Sequence, residues 1–158
     1  MQDILIKSAK TVLTMDDAGR ELAQTDILLR QGVIAKIGPN LSTTGQIIHG
    51  GDCVVTPGLV NTHHHLYQTL TRAVPGGQDA LLFGWLRTLY PIWQRFTPDH
   101  MFVSAQVGLA ELALSGCTLS SDHLYLYPNG SRLEDTIHAA REIGKAEYSN
   151  SVNLNFIS

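Results

Sequence analysis

Cysteine is scarce: Cys53 and Cys117 are the only two in 158 residues, and they show no C-x-x-C spacing. That excludes a disulfide framework or a zinc ribbon and leaves both as expected small, buried thiols. Basic charge is scarce as well. Eleven Lys and Arg stand against fourteen Asp and Glu, the net charge is -3, and no basic cluster occurs. The chain therefore has no electrostatic footprint for nucleic acid or an anionic membrane. No apolar run approaches the ~20 residues needed to span a bilayer. The opening MQDILIKSAKTV lacks the basic region followed by an apolar stretch that marks a signal peptide. The expected location is a reducing cytoplasm.

What the chain does have is apolar surface. Hydrophobic residues make up 44% and charged residues 16%, a balance that supports a core and argues against disorder. Residues 1–56 read as short strands and turns. DILIKSAKTVLTM alternates, AQTDILLRQGVIAKIGPN carries two strands joined at Gln31-Gly32, and QIIHGGDCVVTPG adds two more. This is a small all-β segment, half of a sandwich. From Pro57 the pattern changes. GLVNTH is a short apolar run, as for a strand buried on both faces of a parallel sheet. A helical stretch over 79–95 is interrupted by Pro91. Thr97 and Pro98 open a second helix that runs to Gly116, with Phe102, Ala105, Leu109 and Leu112 on one face. CTLSSD is a second buried strand. Ser131 and Glu134 make a capping-box pattern for a third helix, lined by Leu133, Ile137 and Ala140 and ended by Gly144. Phe83, Trp85, Tyr90 and Trp93 sit at helical spacing and read as core packing.

Strand–helix alternation over 57–144 argues an α/β unit, the opening part of a (β/α)8 barrel preceded by the small β-sandwich segment. A whole barrel takes about 250 residues, and only about 100 follow the β segment here. Residues 145–158 are an atypical tail. Val152, Leu154 and Phe156 alternate with Asn153 and Asn155, whereas a third barrel strand should be apolar throughout.

PGLVNTHHHLYQTLTR, residues 57–72, sets three consecutive histidines at the end of the first such strand. Period-two geometry points His63 and His65 to one face and His64 to the other. Imidazole is the commonest metal ligand, and carboxyl ends of barrel strands are where chemistry is built. A merely structural histidine cluster is the competing reading. Asp122 and His123 end the second strand on the same side. Asp122 reads as a structural carboxylate bonded to loop backbone and His123 as a candidate pocket-lining residue.

The stretches PGLVNTHHHLYQTLTRAVPGGQDALLFGWL and ELALSGCTLSSDHLYLYPNG resemble the metal-dependent amidohydrolase superfamily, whose first barrel strand ends in H-x-H. Within it they are similar to the 8-oxoguanine deaminases, hydroxyatrazine ethylaminohydrolases and guanine deaminases. The resemblance covers residues 1–144. It implies a zinc ion held in part by His63 and His65, with Gln68 contacting a purine-like heterocycle through its donor-and-acceptor amide, or else a solvated loop residue. The implied reaction is hydrolytic deamination of a small N-heterocycle, a triazine being the alternative ring. The catalytic acid–base residues and remaining ligands are expected on later strands. By itself the chain is expected to be inactive and to self-associate. A non-catalytic remnant or interaction module is the competing reading.

Overall fold

A computed structural model of the protein describes residues 2–145 and 153–157. The chain divides into two compact units, Met1–Pro57 and Gly58–Ser158. In the first, β1 (Ile4–Leu13), β2 (Glu21–Arg30), β3 (Val33–Gly38), β4 (Gln46–His49) and β5 (Val54–Val55) form one sheet. Its order is β3-β2-β1-β4, with β5 also on β1. The β1–β2 and β2–β3 pairs are antiparallel, while β4 and β5 run parallel to β1. Gln31 and Gly32, at φ 52° and 79°, make the expected tight hairpin turn between β2 and β3. Ala9 and Val12 of β1 pack with Ile27 of β2 to form this unit's core cluster, and Leu5 and Leu28, paired across the same two strands, are buried as well.

One carboxylate stitches that sheet. The β1–β2 register shifts between Ile6 and Ala9, and Ser8 in the bulge has φ 53°. Asp26 is almost wholly buried and accepts the freed Ser8 N–H at 2.7 Å, the Leu41 N–H at 2.9 Å and the Lys7 ammonium at 2.7 Å. Burial opposes ionisation of Asp26, but the Lys7 ammonium and the two N–H donors outweigh it. Its carboxyl is held below the usual value.

The second unit is built on the parallel sheet β6 (Leu59–Asn61), β7 (Cys117–His123) and β8 (Asn153–Ile157), in the order β6-β7-β8. Between β6 and β7 lie a 3-10 turn, Leu66–Thr71, and helices α1 (Leu82–Trp93) and α2 (Pro98–Leu114). Helix α3 (Leu133–Lys145) follows β7. Thr97 and Pro98 open α2 as expected, and the Thr97 N–H donates to His100 Nδ1 at 3.2 Å. Ala105 and Leu109 of α2 and Ala139 of α3 are buried with Leu66, with Phe102 and Leu112 at the margin. A second cluster gathers Tyr67, Leu89, Trp93, Phe96, Met101 and Leu124. Among the described residues no helix is long and apolar enough to cross a membrane.

Several expectations are corrected. Pro91 does not interrupt α1, which continues through it to Trp93; it forgoes one bond, the N–H that would reach the Arg87 carbonyl. The Ser131–Glu134 capping box is displaced by one residue. The helix starts at Leu133, so Asp135, not Glu134, reaches back to accept the Arg132 N–H at 2.7 Å, and Ser131 Oγ donates to the Pro128 carbonyl. Thr136 and Ala139 are the fully buried residues of α3, while Leu133, Ile137 and Ala140 are half-buried. Cys53 is exposed and only Cys117 is buried. Trp93 belongs to the core and Trp85 packs against it, but Tyr90 and especially Phe83 are exposed. Leu59 and Val60 are exposed rather than buried, because β6 lies at the edge of a three-stranded sheet. Finally, residues 153–157 do pair as a third parallel strand, with Leu119 opposite Asn153 through His123 opposite Ile157. The rule that such a strand is apolar throughout fails at this sheet, since β7 itself buries Ser120 and Asp122. A parallel ladder needs backbone donors and acceptors, which an alternating segment supplies equally well.

Candidate metal centre

The segment after β6 is tied to the end of β7 by three hydrogen bonds. The His123 N–H donates to the His64 carbonyl at 2.8 Å. His65 Nδ1 lies 2.8 Å from the His123 carbonyl, and the Leu66 N–H donates to Asp122 Oδ1 at 2.9 Å. Asp122 is therefore a buried acceptor for loop backbone, as its place at the strand end suggested. Its Oδ2 is buried without a hydrogen-bond partner, and burial raises its carboxyl above the usual value.

β6 ends at Asn61, short of the histidines, yet the segment beyond it still sends them to two sides. His63 and His65 converge, their Nε2 atoms 3.1 Å apart. His64 turns the other way, toward α2, where Gly108 leaves room: a Cβ there would come within 3.5 Å of His64 Cε1. Burial holds the His64 imidazole below its usual value. A carbonyl oxygen cannot donate, so His65 Nδ1 must carry the proton, and in the neutral ring Nε2 is then a bare lone pair aimed at His63. Tetrahedral zinc with nitrogens at ~2.0–2.1 Å sets its ligand atoms about 3.3 Å apart. The pair fits such an ion, and the His123 carbonyl is the outer partner that fixes the ligand tautomer. Among the described residues no group of three or more His, Cys, Asp or Glu side chains could hold a metal. His63 and His65 are two nitrogens whose spacing is compatible with such an ion.

His123 stacks on His63 with ring centroids 4.5 Å apart and its Nε2 buried without a hydrogen bond, so it walls the site. Gln68 stands on the 3-10 turn and donates from Nε2 to the hydroxyls of Tyr67, at 2.9 Å, and Tyr125, at 3.2 Å. Tyr67 is fully buried, and that burial, followed by a hydrogen bond with Tyr125, pushes its phenol up. Tyr125 meets His65 edge-on at 5.4 Å. Sequence reasoning missed both tyrosines. The signal was present for Tyr125, which stands two residues beyond His123 and so shares its face by simple alternation. A cavity of about 390 Å³ runs along the open edge of β6, lined by Leu59, Val60, Asn61, Leu112 and Cys117, and reaches the pair only at His63.

No family model matches the chain. It is 60% identical over 77 residues to an 8-oxoguanine deaminase from Pseudomonas aeruginosa, covering 49% of the chain and 17% of that enzyme. It is 38% identical over 133 residues to an isoxanthopterin deaminase from an unknown prokaryotic organism, covering 80% of the chain and 27% of the enzyme. Among solved structures it resembles the zinc complex of an atrazine chlorohydrolase from Arthrobacter aurescens. The TM-score is 0.84 at 30% identity, over 97% of this chain and 35% of the other. The chain thus spans between 17% and 35% of the length of these proteins.

Proposed function

Because the chain is similar to the N-terminal portion of metal-dependent amidohydrolases that act on N-heterocycles, we propose that it is the opening part of such an enzyme. The substrate is a purine-like ring of the 8-oxoguanine type, from which ammonia is released by hydrolysis. Residues 1–56 are then part of a composite β-sandwich. Residues 57–144 are the first β/α units of a (β/α)8 barrel, followed by the atypical tail 145–158, of which residues 153–157 pair with β7. The observation that carries this reading is the convergence of His63 and His65, with the His65 tautomer set by the His123 carbonyl.

Zinc, when bound, supplies hydroxide at neutral pH. The residues of this chain hold and surround it. His63 and His65 donate Nε2 lone pairs, Asp122 and His123 keep the loop in register, and Gln68 meets the heterocycle edge. The acid–base group that protonates the departing amino group, and the further ligands an open zinc site requires, are not found among the described residues. The same reading puts the protein in the cytoplasm. It also gives the 158-residue chain, alone, weak zinc binding, no turnover and a tendency to associate through its open sheet edges.

The test is ammonia release with zinc from 8-oxoguanine, guanine, isoxanthopterin and hydroxyatrazine, by the longest product the gene encodes. Turnover of an oxidised purine or a pterin is the expected result. Preference for hydroxyatrazine would move the assignment to triazines, and no release from any of the four rings would overturn it in favour of a non-catalytic remnant.

A further inference from the structure

Tyr125 is about half exposed, lies just past the end of β7, and touches both His65 and Gln68. The hydroxyls of Tyr67 and Tyr125 consume both amide hydrogens of Gln68. Gln68 Oε1 makes no hydrogen bond among the described residues and remains an acceptor. The Tyr125 oxygen accepts from Gln68. Its own O–H hydrogen remains to be donated outward. Reversing the Gln68 amide exchanges the two roles, because both phenols would then donate to Oε1. The outward-facing pair would still be one donor and one acceptor.

We propose that Tyr125 is a specificity-determining residue, and that with Gln68 it forms a donor–acceptor edge reading the adjacent N–H and C=O of a lactam on a planar heterocycle. A lactam satisfies both groups at once. In an aminopurine without a ring carbonyl the amino-bearing carbon is the one presented to the metal and the remaining ring edges carry only lone-pair nitrogens, so the acceptor of the pair is left unmatched, and a site built to hydrogen-bond a group rejects the analogue that lacks it. The inference rests on the reading of the site as a heterocycle pocket, but it can fail separately.

The experiment measures equilibrium binding of isoxanthopterin, a lactam, and 5′-deoxyadenosine, which has none, to the zinc-loaded longest gene product, with ammonia release followed in parallel. Tyr125→Phe keeps the ring against His65 and removes only the hydroxyl. The expected result is about tenfold weaker isoxanthopterin binding, unchanged 5′-deoxyadenosine binding and unchanged zinc content. Equal isoxanthopterin affinity in wild type and variant would overturn the proposal. So would equal weakening for both ligands, wild-type preference for 5′-deoxyadenosine, or no binding of isoxanthopterin at all. Hydroxyl-dependent lactam binding without ammonia release would support the inference while refuting the deaminase reading.

Discussion

Removing the Asp122 carboxylate tests whether the end of β7 sets the position of the histidine loop. Oδ1 is the acceptor for the Leu66 N–H, the amide immediately after His65, and both residues are fully buried. In Asp122→Ala that N–H has neither protein nor water to bond. A buried donor left unsatisfied costs about 1–3 kcal/mol. Asp122→Asn keeps an oxygen for Leu66 and replaces the partnerless, desolvated Oδ2 with an uncharged amide. It should therefore be as stable as wild type or more so by up to about 1 kcal/mol. Trp93 is buried in the same cluster as Leu124, two residues along, so tryptophan fluorescence reports on unfolding of this region. With an ordinary urea slope of about 1–3 kcal/mol per molar, Ala should lower the midpoint by about 1 M and Asn should not lower it. The nitrogen chemical shifts of His65 should report a protonated Nδ1 in wild type and Asn, and a tautomer mixture in Ala. Equal stability of Ala and wild type, or an Asn variant as unstable as Ala, would refute the account.

In the full gene product, His63→Ala or His65→Ala should strip zinc, whereas His64→Ala should retain most of it; atomic absorption on dialysed protein decides, and equal loss from all three would undo the ligand assignment. The 158-residue chain alone should bind less than one equivalent of zinc and release no ammonia; a soluble monomer with one tightly held zinc and turnover would contradict that expectation. Asp26 has a folded pKa below its ordinary value near 3.8, so its stabilising contribution is complete above that value and is lost as pH falls through the depressed one. Amide exchange in β1 and β2 should accelerate over that acid range in wild type, and Asp26→Ala should be weaker by about 2–4 kcal/mol already at neutral pH; unchanged exchange would rule this out. At Gly58 a Cβ would overlap the Thr118 side chain, so Gly58→Val should unpair β6 from β7 and lower the thermal midpoint measurably.

Local patterns were the legible part of this chain. Gln31-Gly32 announced its hairpin because few residue pairs adopt two successive positive φ values. The alternation of His63, His64 and His65 gave their facing before any coordinates. What failed were inferences that needed neighbours. Phe83 and Leu59 are apolar at periodic positions, yet burial depends on what packs over them, and among the described residues both stay largely exposed. The expectation that Cys53 is buried followed residue-type statistics, whereas its place beside a turn leaves it exposed. The Ser131 capping box failed by one residue because Ser131 bonded its own turn at Pro128. The third strand was dismissed on side-chain polarity, although ladder formation is decided by the backbone. Tyr125 was missed because attention stopped at the histidines, although the same two-residue period that paired them extends to it.

The contrast between the two thiols has a practical use. Cys53 is exposed, whereas Cys117 is buried at the start of β7, opposite Leu59, with its S–H directed to the Leu119 carbonyl at 3.2 Å. A thiol reagent added to the native chain should therefore react in two kinetic phases of one equivalent each. The fast phase places a probe on the first unit without any engineering. The slow phase runs only as often as β6 and β7 part, so its rate is a clock for opening of the strand pair beneath the histidines. Adding zinc should slow that clock if the ion clasps the loop to the strand end, and leave the fast phase untouched.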